Sequence, residues 1–398
     1  MFTLYARVGL AALLSGYSGA FVSPIAPRVW SRARGGCTNA VCMSTKVPQV
    51  ATPALDADKD EIFPRLMLTP MAAEDVGGGK VRFTRETKLG DKVLFLRDIE
   101  RVTEEGTGLP VFEATAMSED TFHCLLDDDT STFEDIIFYA HGTFTDPSDV
   151  FQRFGILQTR VSPDSHSKVM VVPVIWPTSE GWNIPLLSKL VLYNMDQETT
   201  EKAGDMLAKE LAKFFVKYAP NPTRLHLVAH SMGNRLLRFF AENVPRSLVE
   251  QGLASNERDA MQPDGPGADI VESVTMIAAD VPHDLFDAKE NPEPTSQGRV
   301  LSTVSKRLVV MWAPNDGALS MSFVLNLGSR LGKTGASRET VSPFVTNLTN
   351  LRCDSFSADE DAIDRGGHGY QVHPKTLEII STLLQGKTPT GELVQDPQ

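Results

Sequence analysis

Apolar segments that alternate with helix-like segments constrain this chain more than any other feature of its sequence. Residues 136–140, 169–175 and 225–229 are runs of mainly apolar side chains without a polar face. Such runs are typical of strands inside a parallel sheet that helices cover on both sides. We therefore expect strands of this kind to form the centre of the molecule.

The segments between and after these runs predict helices. From residue 196 to residue 219, apolar side chains recur mostly at steps of three and four behind Asp196-Gln197-Glu198, which predicts an amphipathic helix with an acidic first turn. The alternation continues with predicted strands at 273–278, 308–312 and 351–356 and predicted helices at 234–242 and 374–384. This order predicts an α/β fold with a mostly parallel central sheet and helices on both faces.

Composition divides the chain into four predicted parts. They are a targeting leader at residues 1–50, a linker at 51–79, the α/β domain at 80–388 and a C-terminal tail at 389–398. The domain is expected to open with edge strands at 81–84 and 93–97. The polar segment at 247–269, which contains Pro and Gly, is expected to be a surface excursion or part of a lid.

The predicted leader has no acidic residue, and the first acid of the chain is Asp56. An apolar run at 8–22 follows Arg7 and contains small residues suited to signal-peptide cleavage. The Arg- and Ser-containing stretch behind it, with Phe21 at the expected cleavage point, resembles the two-part plastid leader of algae with secondary plastids. This predicts a plastid location reached through the secretory route, with secretion or an endomembrane lumen as the alternative.

Charge and hydropathy exclude two classes of partner. The formal net charge is −13, and cleavage before Lys46 would remove four basic residues and no acidic one, which leaves −17. Because phosphate neutralisation by Lys and Arg supplies most of the affinity for nucleic acids, no nucleic-acid partner is expected. No segment after the leader is apolar over the roughly 20 residues that a membrane-spanning helix needs, so no transmembrane anchor is expected in the mature chain.

Cysteine and histidine spacing predicts neither a disulfide framework nor a metal site. Cys37 and Cys42 lie in the leader, which leaves Cys124 and Cys353 in the mature chain. Histidines and carboxylates do not cluster at the short spacings of metal ligands. We therefore expect no cofactor.

Residues 225–237 predict a strand, a tight turn and a helix in direct succession, with Ser231 in the turn. Ala229 and Gly233 stand two residues before and after it, and small residues there let the strand and helix approach while the hydroxyl is forced out at the carboxyl end of the sheet. The usual pattern has Gly where Ala229 stands, so the match is less specific. Ser231 is either a nucleophile or the N-cap of a buried helix, and the flanking segments favour the nucleophile.

A serine nucleophile needs an orienting acid behind its base, and both follow the serine in chains built on such a turn. Asp316 lies in the loop after the predicted strand at 308–312 and is the expected acid. Asp280 ends the preceding predicted strand and is the alternative acid.

The expected base is His368, which lies in the glycine-rich loop at 365–370. Glycines let such a loop carry the imidazole back over the serine. His373 is a competitor, but its position at a helix start suits a capping role.

Two backbone N–H groups are expected to bind an oxyanion. One belongs to Met232 at the amino end of the helix, and the other to Thr143 in His141-Gly142-Thr143 behind the strand at 136–140. Gly142 allows close approach. His141 is expected to support the loop, and His230 to pack away from the nucleophile.

Together these segments resemble an uncharacterised family of lipase- or esterase-like α/β hydrolases, a domain of unknown function. The resemblance covers roughly residues 130–385 and rests on the order of the motifs. It implies the α/β-hydrolase fold and a Ser-Asp-His triad but no substrate, and Asp280 in the family pattern keeps the alternative acid open. The matching residues are His141-Gly142, Trp176-Pro177, Tyr193 with Asp196, His230-Ser231-Met232-Gly233-Asn234, Ala279-Asp280, Asp316 with Ala318-Leu319, and Gly367-His368 with Tyr370.

The expected activity is hydrolysis of a small-molecule acyl ester through an acyl-enzyme on Ser231. The same triad would serve an acyltransferase, and the fold would also serve a catalytically silent binding protein. Several apolar side chains are candidates for an acyl pocket and equally for the core. They are Trp176, Trp182, Tyr193, Met195 and residues 321–327.

Overall fold

The computed structural model describes residues 63–83, 88–104, 110–130, 133–145, 147–162, 168–179, 186–220, 222–357 and 367–389. The chain divides into Met1–Ala54 and Leu55–Gln398, and every described residue belongs to the second unit. The predicted leader and the predicted tail beyond residue 389 lie outside the described residues, so the expectations about targeting stay predictions.

The described strands form one sheet. In chain order they are β1 (Leu66–Met71), β2 (Glu74–Gly77), β3 (Lys80–Phe83), β4 (Leu89–Thr103), β5 (Pro110–Met117), β6 (Asp135–Ala140), β7 (Val169–Val174), β8 (Arg224–His230), β9 (Val271–Ile277), β10 (Ser305–Trp312) and β11 (Leu348–Arg352). Their order in the sheet is β11-β10-β9-β8-β6-β7-β1-β4-β5-β3-β2. Neighbours from β11 to β1 are parallel and those from β1 to β2 are antiparallel, so the predicted mostly parallel sheet is confirmed.

The helices follow the strands from β5 onward. They are α1 (Glu119–Thr130), α2 (Pro147–Val161), α3 (Leu186–Tyr218), α4 (Asn234–Glu250), α5 (Glu257–Ala260), α6 (Gln297–Val304), α7 (Gly317–Asn326), α8 (Leu331–Thr334), α9 (Asp354–Ser357) and α10 (Pro374–Leu384). Within the part of the chain that the structure describes, none of the helices is both long and apolar enough to cross a bilayer.

The apolar runs of the sequence are explained by burial of both faces of the sheet. On β6, Phe138 packs on one side with Phe215 of α3, with ring centroids 5.2 Å apart. The next residue back, Ile137, belongs to the opposite cluster with Leu157 of α2 and Ile380 of α10. Successive residues of a strand point to opposite faces, so a strand covered on both sides carries no polar face. Burial of each such large apolar side chain stabilises the folded state by roughly 1.5–3 kcal/mol.

The prediction of a linker at 51–79 is wrong for its second half, and the domain starts before Lys80. β1 is buried along its whole length and lies in the sheet between β7 and β4. β2 pairs with β3. The segment 66–71 shows no alternation because both of its faces are covered, and Pro70 further masks its strand character. The strands predicted at 81–84 and 93–97 correspond to β3 and β4, but neither is an edge strand, because β3 lies between β5 and β2 and β4 lies between β1 and β5.

The helix predicted to begin at Asp196 is longer, because α3 begins at Leu186. Asp196 is therefore not in a first turn, and it shares a buried face with Thr200, Ala203 and Leu207. The segment predicted as a surface excursion or lid is in part helical, since α4 continues to Glu250 and α5 follows.

Candidate active site

Ser231 occupies the turn between β8 and α4. Its φ of +54° lies in the left-handed region, which a non-glycine residue adopts only where its surroundings enforce it. The side-chain amide of Asn234 stabilises the turn, because its Nδ2 donates to the carbonyl oxygens of Ser231 at 3.0 Å and of Ala229 at 3.2 Å. The serine is thereby held at the carboxyl end of β8.

The turn also packs closely against the segment that leaves β6. A Cβ atom on Gly233 would lie 2.3 Å from the carbonyl oxygen of His141 and 2.8 Å from that of Ala140. Because both contacts are with backbone, this position requires glycine. Ala229 is fully buried, so the turn accommodates the methyl group that departs from the usual pattern.

Three side chains that are far apart in the sequence meet at this turn. His368 Nε2 lies 2.7 Å from Ser231 Oγ, and His368 Nδ1 lies 2.7 Å from Asp316 Oδ2. All three side chains are buried. Since a carboxylate only accepts, Nδ1 carries the proton and Nε2 is left to accept from the serine hydroxyl. This is the arrangement that general-base activation of a serine requires.

Asp316 lies between β10 and α7, and a helix cap orients its carboxylate. Its Oδ1 accepts a hydrogen bond of 2.9 Å from the backbone N–H of Leu319, which caps the amino end of α7. The other oxygen is thereby directed to His368.

Asp280, the alternative acid, has different partners. It accepts hydrogen bonds from the hydroxyls of Tyr193 and Ser322, and its carboxylate lies 3.2 Å from Arg330 Nε and 3.6 Å from Arg235 Nη2. Burial and the Asp280 carboxylate raise the pKa of Tyr193, so the phenol remains a neutral donor. The structure thus places Asp316, and not Asp280, beside His368.

His230 holds the backbone of His368, which the sequence did not predict. Its Nε2–H donates to the carbonyl oxygen of His368 at 3.0 Å, and the two rings lie 4.8 Å apart. Burial, and to a smaller extent the nearby His368, lower the pKa of His230 well below its usual value. A neutral His230 avoids a second positive charge beside His368 when that ring takes up a proton.

His373, the competing base, performs the capping role. Its Nδ1 accepts from the backbone N–H of Lys375 at 3.2 Å at the start of α10. Its ring stacks on Phe356 at a centroid distance of 5.0 Å. His373 is therefore committed to a helix end rather than to the serine.

The loop after β6 presents Thr143 to the serine, and His141 orients the peptide between Gly142 and Thr143. His141 Nε2 accepts from the backbone N–H of Trp176 at 3.1 Å, which leaves the Nδ1 proton for the carbonyl oxygen of Gly142 at 2.7 Å. Burial lowers the pKa of His141 to about 4, so the ring stays neutral. In a trans peptide the N–H points opposite to the carbonyl, so the Thr143 N–H is directed away from His141.

Met232, the other predicted oxyanion donor, directly follows Ser231. Its side chain packs in a small apolar cluster with Phe144 and Tyr193, and its sulfur accepts from Thr200 Oγ1 at 3.2 Å. Its backbone lies at the start of the helical turn Ser231–Gly233. The position therefore suits a backbone donor next to the serine.

A small cavity of about 10 Å³, with room for about one water molecule, adjoins Ser231 and His368. Of the residues predicted to line an acyl pocket, Tyr193, Met321 and Ser322 contribute to its wall. Trp176 is buried and stacks on His141 at 4.0 Å, Met195 is 57% exposed, and Trp182 lies outside the described residues. The complete lining is Thr143, Phe144, Tyr193, Ser231, Asp280, Ala318, Leu319, Met321, Ser322 and His368.

A family model described as "Alpha/beta hydrolase of unknown function (DUF900)" matches residues 119–350, which is more than half of the chain. The chain belongs to this family. The match includes the serine turn, both candidate acids and the loop after β6, so the predicted resemblance and the α/β-hydrolase fold are confirmed.

Two solved structures are similar to this hydrolase at low identity. One is a lipase B from Aspergillus fumigatus, with 9% identity and a TM-score of 0.35 over 67% of this chain and 56% of that chain. The other is esterase PE8, with 15% identity and a TM-score of 0.26 over 60% of this chain and 92% of that chain. This chain thus spans a little over half of the lipase. No protein of curated function matches the sequence.

A second Ser-His-Asp set of this hydrolase lies near the amino ends of the central strands, away from Ser231. His226 Nδ1 is 2.8 Å from Ser273 Oγ, and its Nε2 is 2.9 Å from Asp135 Oδ1. Arg224 also binds Asp135 with two hydrogen bonds of 2.7 Å, and all these groups lie on neighbouring strands. The arrangement joins β6, β8 and β9, and its ring nitrogens are used in the reverse order from those of His368.

Within the described residues, no group of three or more His, Cys, Asp or Glu side chains is placed to hold a metal ion. Asp196 and Arg330 are neighbours of the site to which the sequence assigned no role there, although Asp196 is among the residues that carry the family resemblance. For Asp196 the sequence did contain a signal, because this carboxylate lies at one of the apolar positions of a helix face. A carboxylate at such a position either reaches solvent or is bound by buried hydrogen-bond donors.

Proposed function

We propose that this α/β hydrolase is a serine esterase that cleaves a carboxylic ester through an acyl-enzyme on Ser231. The observation that carries the proposal is the chain of two 2.7 Å hydrogen bonds from Ser231 through His368 to Asp316, beside a cavity. The serine lies in a strained turn at a helix start, which is the setting of the nucleophile in this fold.

In the proposed mechanism, His368 Nε2 takes the Ser231 proton as Oγ attacks the ester carbonyl. Asp316 keeps the Nδ1 proton in place and stabilises the imidazolium, while the N–H groups of Met232 and Thr143 donate to the oxyanion. His368 then protonates the departing alkoxide, which leaves as the alcohol. Water, deprotonated by His368, attacks the acyl-enzyme, and the acid is released with Ser231 restored.

The wall of this small cavity favours an apolar group, rather than a charged one, as the part of the substrate next to Ser231. Phe144, Leu319 and Met321 give it hydrocarbon surface. The polar side chains of Tyr193 and Ser322 in the same wall already bind Asp280. They have therefore less capacity to bind a charged acyl group.

Covalent labelling tests the nucleophile. A fluorophosphonate probe is expected to label the folded full-length chain, and Ser231→Ala is expected to abolish both labelling and p-nitrophenyl butyrate hydrolysis. Ser255→Ala, which changes an exposed loop serine, is expected to behave like the parent. Folded parent protein that neither reacts with the probe nor cleaves the ester would refute the esterase proposal.

Gly142→Ala tests the close contact between the loop and the nucleophile. Its Cβ would lie 2.8 Å from Ser231 Cβ and 3.0 Å from His230 Nδ1, so the loop or the serine has to move. We expect kcat for p-nitrophenyl butyrate to fall about 10- to 100-fold, since small displacements of reacting groups are costly. Gly328→Ala is the control, because an added Cβ there meets nothing closer than 3.8 Å. Equal kcat values for both variants would contradict the described contact.

A further inference from the structure

Asp196 is a buried carboxylate whose stabilising partners are neutral. It lies on α3 with 3% of its surface exposed. Burial raises its pKa, and the groups that oppose this shift are hydrogen-bond donors from Ser179, Thr143 and Phe144 rather than cations. Because an ionised carboxylate is stable in such a place only when donors surround it, its position depends on these bonds.

The donors belong to the two loops that leave β6 and β7. From the first loop, Thr143 Oγ1 and the backbone N–H of Phe144 donate to Asp196. From the second loop, Ser179 donates through its backbone N–H at 2.7 Å and through its Oγ at 2.6 Å. A single carboxylate thus binds both loops to α3.

These bonds fix the peptide that follows Thr143. Phe144 has a φ of +51°, a left-handed conformation that its N–H bond to Asp196 supports. The carbonyl oxygen of Thr143 accepts from Thr145 Oγ1 at 3.0 Å, so both ends of the peptide between Thr143 and Phe144 are held. His141 holds the preceding peptide through the carbonyl oxygen of Gly142. The Thr143 N–H belongs to this preceding peptide, so His141 holds the donor's own peptide and Asp196 holds the Thr143 side chain and the peptide that follows.

We propose that Asp196 is a positioning residue for the oxyanion site, which it acts on through Thr143 and Phe144. The inference rests on the proposed esterase function, since it assigns a role within that reaction. A donor held in advance stabilises charge that develops on the substrate oxygen, without reorganisation at the moment of reaction. Such an effect is present in the transition state and small in the ground state, so it acts on kcat rather than on KM.

The test compares Asp196→Asn and Thr143→Val with the parent. Asn replaces one acceptor oxygen by an NH₂ group that opposes a donor, and Val removes the Thr143 hydroxyl without a change of shape. With p-nitrophenyl butyrate, we expect both variants to lower kcat about 10- to 100-fold with KM nearly unchanged, because a donor is displaced rather than lost. Inhibition by butylboronic acid, which forms a tetrahedral adduct on the serine, is expected to weaken by a similar factor. Thr143→Ser, which keeps the hydroxyl, is expected to lie between Thr143→Val and the parent.

Asp205→Asn is the matched control, because Asp205 lies on the exposed face of α3 in a 2.7 Å pair with Lys209. It is expected to leave kcat and inhibition unchanged. If the parent is active and both test variants keep the parent's kcat, the inference is overturned. It is also overturned if kcat falls only in proportion to the loss of folded protein while boronic acid inhibition of the remainder is unchanged. A parent without labelling or hydrolysis would instead refute the esterase proposal.

Discussion

Asp316→Asn is expected to lower kcat for p-nitrophenyl butyrate about 10⁴-fold, with little change in folding stability. The 2.7 Å bond to Asp316 keeps the proton of His368 on Nδ1. An amide that turns its NH₂ group toward the ring favours the other tautomer, whose protonated Nε2 cannot accept from Ser231. Asn also serves well as a helix N-cap, so the bond to Leu319 and the start of α7 are expected to persist.

Steady-state kinetics on Asp316→Asn and Asp280→Asn, each corrected for folded protein, decide between the two acids. Both residues follow a parallel strand, and of the two, Asp316 is the one that forms a hydrogen bond with His368. A larger loss of kcat in Asp280→Asn than in Asp316→Asn would overturn the assignment of the acid.

Asp280→Asn is expected to lower the free energy of unfolding by about 3–5 kcal/mol, because it removes the buried anion from two buried guanidinium groups and, among the described residues, leaves Arg235 with only the exposed Glu201. Arg330 Nε and Arg235 Nη2 lie 3.2 Å and 3.6 Å from the Asp280 carboxylate, and all three side chains are almost fully buried. The Tyr193 hydroxyl would also lose a charged acceptor. Urea unfolding followed by tryptophan fluorescence measures the effect.

Glu201→Gln is the matched control for this prediction. Glu201 lies 3.2 Å from Arg235 but is 52% exposed, so solvent screens the pair and the expected change is about 0–1 kcal/mol. If the urea midpoint of Asp280→Asn is as close to that of the parent as the midpoint of Glu201→Gln is, Asp280 does not compensate the charge of the buried arginines.

The serine turn could be predicted because its signals are local. A buried strand, small residues on either side of Ser231 and a helix start all lie within thirteen residues of sequence. Because the acid and the base must follow the serine in the chain, two candidate residues remained for each role. Distinguishing Asp316 from Asp280 needed the paths of two loops in space, because each carboxylate follows an apolar strand and the local sequence does not encode which neighbour it meets.

Two misinterpretations have the same physical origin. The sequence predicts a helix start at Asp196, since acids favour first turns, whereas Asp196 is a buried acceptor within α3 for donors from two other loops. The sequence predicts a linker at 66–71 because this segment lacks alternation, whereas it pairs with β4 and β7, and distant parts of the chain cover both of its faces. In each case the partner that decides the role is distant in the chain.

The sequence by itself determined the parallel α/β core, the serine turn and the order of the residues around it, because hydrophobic periodicity and turn chemistry act between near neighbours. Only the tertiary structure decided that Asp316 faces His368, that Asp280 balances two buried arginines, and that Asp196 binds the loop of Thr143. Those roles depend on which charged and polar groups become neighbours once water is excluded, since a buried charge takes its function from the partners that the fold brings to it.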